Sequence, residues 1–369
     1  MSKNFHALKV KDVRKETADT ITISFDVPDQ LEKDFKYKQG QYLTLKFDVN
    51  GEDMRRAYSM SSSPVDGDIA VTVKRVHRGK VSNYVHDNIR SGSVIEVMQP
   101  DGRFFTELNE NACKTYYLFG AGSGITPLMS ILKTILEFEP KSTVNLLYGN
   151  RNEETIIFKK TLDDLEKKYA GQLKCEHILR QPIKEKKGGL KGLFSKGKIN
   201  WTGKVGRINA NVVSAFLEEN PDRNKGAEYF ICGPGTMIDA VKDLLNAKGV
   251  DKKNVHFEAF VNAAEAAAAK ANSTSGVDGA QMTCNLDGNE IKIAIPKGKN
   301  ILDTLLDAGY DAPYSCTAGA CATCMAKVTK GKAKMDQCFA LDDDEIENGF
   351  ILTCQAHPET AEIEVTFDV

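Results

Sequence analysis

Four cysteines constrain this chain more than any other feature. Cys316, Cys321, Cys324 and Cys354 follow the spacing C-x4-C-x2-C, then 29 residues, then C. That is the ligand spacing of a plant-type [2Fe–2S] centre. Four thiolates must converge on two irons, and the loop between the first two must wrap them with backbone N–H groups aimed at sulfur. Thr317, Ala318, Gly319 and Ala320 are small enough to do so, and Ala322 and Thr323 keep the next turn slim. The alternatives are buried free thiols or a zinc site, and zinc usually takes two C-x2-C pairs where this segment has one. Cys338 is off the pattern and reads as an unliganded thiol.

Charge sets the same segment apart. Ala280–Val369 holds 15 acidic and 7 basic residues, no Arg among them, a balance of −8. The rest of the chain holds 36 acidic and 42 basic residues, a balance of +6, so the net charge of −2 hides a split. The near-neutral total argues against a nucleic-acid binder. A composition of 41% hydrophobic and 27% charged residues is that of a soluble globular protein, and 369 residues make room for two or three domains. No apolar run approaches the length that crosses a bilayer, and MSKNFHALKV lacks a signal-peptide core. A cytoplasmic protein with no membrane partner is expected. In that compartment clustered cysteines point to metal or redox chemistry rather than disulfides.

Up to residue 110 the chain reads as short alternating runs broken by Gly, Asp and Asn: Thr20–Val27, Gln41–Phe47, Ile69–Val76 and Ser93–Met98. This predicts an antiparallel β-barrel or sandwich, with one helix at Val81–Ile89. From 111 to 260 strand and helix alternate. Strands are expected at Thr115–Phe119, Val144–Tyr148, Leu173–Leu179, Glu228–Cys232 and Val255–Glu258. Helices are expected at Ile125–Phe138, Phe158–Tyr169, Val212–Glu218 and Thr236–Ala247. That rhythm predicts an α/β domain with a parallel sheet covered on both faces. Arg180–Arg207 interrupts it with nine basic residues and one acid. It reads as a solvated loop, or alternatively as a docking surface for an acidic partner. Residues 261–279 (VNAAEAAAAKANSTSGVDG) have too few large apolar side chains for a core and read as a linker. Residues 280–369 read as a separate α+β domain: strands Gln281–Leu286 and Glu290–Ile295, helix Ile301–Ala308, the cysteine loop and further short strands.

Phe119–Pro127 reads FGAGSGITP between a predicted strand and a predicted helix. Gly120, Gly122 and Gly124 let the backbone approach a pyrophosphate, which also meets the positive helix N-terminus. Thr126 and Pro127 suit the helix opening. Cys232-Gly233-Pro234-Gly235-Thr236-Met237 is a second turn of this kind, and two on one sheet point to a dinucleotide site. Tyr148-Gly149-Asn150-Arg151 ends the second strand of this domain. An NAD-selective site often places an acid there for the ribose 2′-OH. Asn150 and Arg151 instead suit a 2′-phosphate, so NADPH is expected over NADH; the plain alternative is a solvated Arg151. In the barrel, RAYSMSS (Arg56–Ser62) places Arg56, Tyr58 and Met60 on one face and Ala57 and Ser59 on the other. A guanidinium suits a phosphate, and an aromatic ring suits a planar heterocycle. A nicotinamide delivers two electrons and a [2Fe–2S] cluster takes one, so a flavin is expected between them.

Together these residues resemble the ferredoxin–NADP reductase superfamily, in the group that carries a C-terminal plant-type ferredoxin domain. The likeness covers nearly the whole chain in the order flavin, nucleotide and ferredoxin domains. RAYSMSS, YGNR at 148–151, MDQCFALDDDEIENGFILTCQAHP at Met335–Pro358 and VTFD at Val365–Asp368 carry it. Within the group they look most like the subfamily of phenylacetyl-CoA epoxidase reductase components. The resemblance implies a β-grasp fold for the last domain. It implies Arg56 on the flavin pyrophosphate, Tyr58 stacked on the isoalloxazine and Ser59 near its reactive nitrogen. Gly79, Val81 and Ser82, after the Lys74–Arg75 strand, match the second phosphate-binding stretch. Thr126 and Cys232 would flank the nicotinamide, with Gly233, Pro234 and Met237 in the same turn. Glu258 and Phe260 match the family's acid and aromatic near the flavin, which makes Ser59, Cys232 and Glu258 the catalytic candidates.

The implied cofactors are FAD (FMN as the alternative), NADPH and [2Fe–2S]. The implied activity is electron transfer from NADPH through FAD and the cluster to a diiron oxygenase. Alternative acceptors are a Rieske oxygenase or a free electron carrier, and a redox sensor without turnover is the alternative of another class. Thr317 stands where plant ferredoxins often carry Arg. This departure bears on partner surface or potential and not on cluster type.

Overall fold

The computed structural model describes residues 4–185, 198–223, 226–260 and 276–368. Alternating burial builds the first unit. Strands β1 (Phe5–Thr17), β2 (Thr20–Asp26), β3 (Tyr42–Val49), β4 (Glu52–Ser59), β5 (Ile69–Lys74) and β6 (Val94–Met98) form one antiparallel sheet in the order β4-β3-β6-β1-β2-β5. A bridge between Met60 and Val71 brings the end of β4 back to β5 and closes the sheet into a barrel. Leu8, Ile23, Leu43, Leu45 and Val73 fill the interior. Helix α1 (Lys80–Asn88) covers one end with Val81 and Val85.

The second unit has strands β7 (Thr115–Ala121), β8 (Thr143–Asn150) and β9 (Leu173–Leu179), then a two-residue hairpin of β10 (Lys184–Glu185) and β11 (Lys198–Ile199). It continues with β12 (Lys204–Val205), β13 (Ala227–Gly233) and β14 (Val255–Ala259). Its main sheet is parallel, in the order β12-β9-β8-β7-β13-β14. Alternate residues of β7 explain the two layers of helices. Tyr116 and Leu118 face α2 (Ile125–Phe138) and α3 (Lys159–Lys168), while Tyr117 and Phe119 face α4 (Ala210–Glu219) and α5 (Gly235–Ala247). The strand order reverses between β7 and β13, and both glycine turns leave the sheet at that point. Ligands of open α/β sheets bind in the crevice so formed.

Two stretches differ from expectation. The basic stretch read as a solvated loop contributes β12, which pairs Lys204 with Ile178 and Val205 with Leu179 and extends the sheet at its edge; its residues 186–197 lie outside the described residues. Of the expected linker, 261–275 lie outside the described residues. Residues 276–279 are tied to the third unit, where Val277 N–H donates to Pro358 O at 2.9 Å.

The third unit is a five-stranded mixed sheet of β15 (Ala280–Leu286), β16 (Asn289–Ile295), β17 (Met325–Lys330), β19 (Phe350–Leu352) and β21 (Glu362–Thr366), in the order β16-β15-β21-β17-β19. The pair β18 (Ala333–Met335) and β20 (Ala356–Pro358) flanks it. A helix at Ile301–Asp307 packs Ile301, Leu302 and Leu305 into its core. Asn300 caps this helix by accepting from Asp303 N–H and also donates to Cys354 O, which ties the helix to the last cysteine.

Candidate redox centre at the domain junction

The two glycine turns lock into each other. A Cβ on Gly124 would lie 2.1 Å from the Cys232 carbonyl oxygen, so only glycine fits. Gly122 has φ +55 and open space where a Cβ would stand, which leaves its backbone approachable. Tyr148 Oη donates to Gly122 O at 2.8 Å and holds the turn from beneath. Gly120 packs on Leu128 and Gly233 on Met237. The Thr126 hydroxyl donates to Ser123 O at 3.1 Å, and Thr126 and Pro127 are both buried in the first turn of α2. No side chain caps α2 or α5, so no protein side chain occupies the end of either helix. Pro234 is exposed just before α5. At the end of β8 Asn150 is buried and Arg151 is exposed.

Ser59 ends β4 on the barrel, and its hydroxyl donates to Glu258 Oε2 at 3.1 Å. Glu258 lies on β14 in register with Cys232 on β13. Burial pushes the Glu258 carboxyl up to about 8, against the Ser59 hydrogen bond, and the Cys321 sulfur of the third unit adds to the rise. Burial likewise raises the Cys232 thiol, helped by Glu258. Both shifts favour the neutral forms, so Glu258 is suited to hold a proton at this junction. The three catalytic candidates thus sit together.

The other barrel candidates line up along β4, β5 and α1. Tyr58 is half-buried against the barrel interior, and burial raises its phenol while Arg56 opposes the shift. Arg56 Nη1 donates to Arg55 O at 2.6 Å. Lys74 Nζ lies 3.8 Å from Asp19. Gly79 is the N-cap residue of α1. Val81 places its side chain in the barrel core, which leaves only its backbone for a ligand. Ser82 Oγ accepts from Val76 N–H at 3.1 Å and closes the turn before the helix. Phe260 packs half-buried on the α/β core.

The cysteine loop has the donor set an iron–sulfur cluster needs. The thiols pair two and two, Cys316 with Cys321 and Cys324 with Cys354. Cys316 and Cys354 are held below the usual thiol range, chiefly by the partner S–H and with help from backbone N–H groups of Ala318, Ala320 and Gly319. Ala318 N–H donates to Cys316 Sγ at 3.4 Å and Cys316 N–H to Cys321 Sγ at 3.5 Å. Gly319 has φ +69, and a Cβ there would lie 2.8 Å from Gln337 O. Among the described residues no three His, Cys, Asp or Glu side chains gather around a single ion point. Two pairs of thiols suit two irons, and the residues fit a [2Fe–2S] group. Cys338 is half-buried and takes no part in either thiol pair.

Sequence reading missed the residues that join the third unit to the barrel. Tyr42 Oη and Thr323 Oγ1 are 2.8 Å apart, and Arg55 Nη2 donates to Asp311 Oδ1 at 2.7 Å. Arg55 was hidden by its neighbour Arg56, and Thr323 was noticed only for its size. The nearest signal was the sign of the charges, a basic body beside an acidic module.

Comparison with known proteins matches three family models in sequence order. They are an oxidoreductase FAD-binding domain at 7–106, an oxidoreductase NAD-binding domain at 118–243 and a 2Fe-2S iron-sulfur cluster binding domain at 284–359. The chain is 36% identical over 365 residues to one of the subunits of 1,2-phenylacetyl-CoA epoxidase of Escherichia coli K12, covering 99% of this chain and 98% of that one. The chain belongs to the ferredoxin-reductase-type family of NAD(P)H-dependent reductase components. The reductase is also 36% identical over 368 residues to the ferredoxin reductase component of 3-ketosteroid-9-alpha-monooxygenase from Rhodococcus rhodochrous, covering 98% and 96% of the two chains. Among solved structures, phthalate dioxygenase reductase matches it with a TM-score of 0.58 at 24% identity over 98% of each chain, a likeness of fold. FAD-binding, NAD-binding and iron–sulfur domains therefore stand in one reductase. No helix among the described residues is long and apolar enough to cross a membrane.

Proposed function

We propose that this reductase oxidises NADPH in the cytoplasm and supplies electrons to a diiron oxygenase that acts on phenylacetyl-CoA. The observation that carries the reading is the meeting of three domains: Ser59 of the barrel bonds Glu258 of the α/β domain at 3.1 Å, and Tyr42 of the barrel lies 2.8 Å from Thr323 in the cysteine loop of the iron–sulfur domain. A bound FAD supplies the conversion between a two-electron donor and a one-electron cluster. Arg56, Lys74, Gly79, the Val81 backbone and Ser82 hold its pyrophosphate, and Tyr58 stacks on its ring. Ser59 and Glu258 orient the reacting edge, and burial of Glu258 favours its protonated form there. Gly120, Gly122, Gly124 and Gly233 hold the nucleotide pyrophosphate. Thr126, Pro127, Cys232, Pro234, Met237 and Phe260 shape the nicotinamide end. Cys316, Cys321, Cys324 and Cys354 bind the cluster.

NADPH is favoured over NADH because Arg151 stands exposed at the end of β8, where no acid follows the strand directly. The acceptor is assigned on the 36% identity to the epoxidase component over nearly the whole of both chains. A second reading, service to a different oxygenase, is favoured by equal identity to the ketosteroid monooxygenase component.

Anaerobic titration with NADPH tests the relay. Flavin absorbance is expected to bleach first and cluster absorbance to follow; a cluster that stays oxidised defeats the reading. Phenylacetyl-CoA-dependent NADPH oxidation with the candidate oxygenase tests the acceptor, and the absence of stimulation points to the second reading.

A further inference from the structure

Arg55 is an unusual arginine. It is 7% exposed on β4, beside the residue assigned to the flavin phosphate. Its guanidinium carbon lies 4.5 Å from the centre of the Tyr314 ring and 5.0 Å from that of Phe5, so one aromatic ring comes from the iron–sulfur domain and the other from the barrel. Its Nη2 donates to Asp311 at 2.7 Å and reaches Asp53 at 3.5 Å. A buried guanidinium is costly unless paired, and this one finds a carboxylate and an aromatic ring on the docked domain.

Tyr42 makes the second contact. It is buried, and its Oη sits 2.8 Å from Thr323 Oγ1 and 3.1 Å from Asp101 Oδ2. Gly102 makes room for the ring, since a Cβ there would stand 3.0 Å from it. Thr323 lies between the ligands Cys321 and Cys324. Across the β3–β4 ladder Tyr42 pairs with Ser59, the residue bonded to Glu258. Tyr42 is thus one hydrogen bond from the cluster loop and one backbone pair from the candidate flavin edge.

We infer that Tyr42 and Arg55 are the positioning residues for electron transfer from flavin to cluster: a two-point socket that seats Thr323 and the Asp311–Tyr314 segment so that Cys321 faces the Ser59–Glu258 junction. The inference rests on the relay proposed above. Oxidation of one NADPH yields NADP+, a proton and two electrons. The first electron crosses the junction and reduces one of the two ferric ions to ferrous; the second follows only after the external acceptor has taken the first and returned the cluster to its diferric state. Transfer rate depends steeply on separation, so a small loss of seating slows this step without touching hydride transfer. Arg103, which pairs with Glu345 and lies 3.4 Å from Met325 Sδ, and Lys252, 3.8 Å from Asp343, sit at the exposed rim and support the seat weakly.

Stopped-flow reduction of the full-length holoprotein by NADPH separates the steps. Tyr42→Phe keeps the ring and removes the hydroxyl, and Arg55→Ala removes the clamp. In both, flavin bleaching is expected to stay within about twofold of the parent, while cluster bleaching slows by about threefold for Tyr42→Phe and about tenfold for Arg55→Ala. Amide hydrogen exchange over residues 310–324 is expected to speed up in both variants. The double variant Arg55→Asp with Asp311→Arg should recover part of the lost cluster rate, which a merely misfolded Arg55→Ala would not allow. Parental cluster rates and parental exchange in both variants overturn the inference. If the parent protein bleaches its flavin but never its cluster, the relay itself fails, and the exchange measurement alone decides the seating.

Discussion

At the residue scale, spacing and chemistry were legible where a ligand demands both. The four cysteines announce their cluster because two irons need four converging sulfurs. The structure adds the two-and-two pairing and the N–H groups of Ala318 and Cys316 that face sulfur. Cys321→Ser is expected to abolish the visible signature of the cluster and the reduction of an external acceptor, while NADPH still bleaches the flavin. Acceptor reduction that survives would mean electrons leave from the flavin directly. Arg151 is exposed and free to meet a 2′-phosphate; Arg151→Ala is expected to raise the KM for NADPH about tenfold, the worth of one charge-assisted contact, and to leave that for NADH nearly unchanged. Steady-state kinetics with both nucleotides check it, and equal effects remove Arg151 from this role. Arg55 and Tyr42 were not legible, because nothing local separates a docking arginine or tyrosine from an ordinary strand residue. Their meaning depends on Asp311 and Thr323, more than 250 positions away.

At the scale of elements, periodicity gave most strands and helices of the α/β unit to within a residue or two, since both faces of that sheet are buried. β1 escaped notice. Six of its 13 residues are charged, and only Leu8, Val10 and Thr17 are buried. Pairing on both sides, to β2 and β6, holds it in the barrel. β12 was hidden for a related reason, being two residues inside a basic stretch that gains a partner only from β9. The lock between the glycine turns predicts a sharp response. Gly124→Ala must drive the β7 and β13 turns apart, because its Cβ would meet the Cys232 carbonyl at 2.1 Å. Flavin reduction by NADPH is expected to fall at least about tenfold, in line with the cost of an ångström-scale misplacement. Bound-flavin absorbance should remain, because the barrel is untouched; an unchanged rate of flavin bleaching counts against the crevice as the nucleotide site.

The same two strands carry a pH dependence. Glu228 on β13 accepts from Lys114 Nζ at 2.6 Å and lies 3.3 Å from His256 Nε2. Burial alone would raise its carboxyl, but the neighbouring His256 ring and the Lys114 hydrogen bond win and hold it down to about 2. Its folded pKa is therefore below its unfolded value, near 4.3. The stabilisation is fully present above that value and is lost as pH falls toward 2. In thermal melts, Glu228→Gln is expected to lower the melting temperature at pH 7 and to flatten the acid-side decline between about pH 4.3 and 2. A variant that keeps the parent's acid-side slope places that dependence on another carboxylate.

At the scale of the whole molecule, the net charge of −2 misleads, because it sums an acidic module of −8 and a body of +6. The structure shows where the two meet. Glu345 pairs with Arg103, Asp343 approaches Lys252, and Asp311 pairs with Arg55. Asp342 and Glu345 also form a capping box at the start of a short helix at Asp343–Glu347, so part of the acidic run is there for the helix. Asp344 and Glu347 remain exposed. Attraction inside the chain and attraction to a basic acceptor thus draw on one acidic face. The rim pairs are screened as salt shortens the Debye length from about 30 Å at 0.01 M to 3 Å at 1 M, whereas Arg55 is itself buried, although its partner Asp311 is exposed, and its contact with the Tyr314 ring adds to a pairing that is screened less. Rising salt should therefore slow delivery to an oxygenase steeply, through the encounter, and slow internal cluster reduction only mildly. Stopped-flow cluster bleaching and steady-state acceptor reduction, measured over the same salt series, distinguish the two. If acceptor reduction is as indifferent to salt as the internal step, the exposed acids are solvated helix residues and the external partner docks elsewhere.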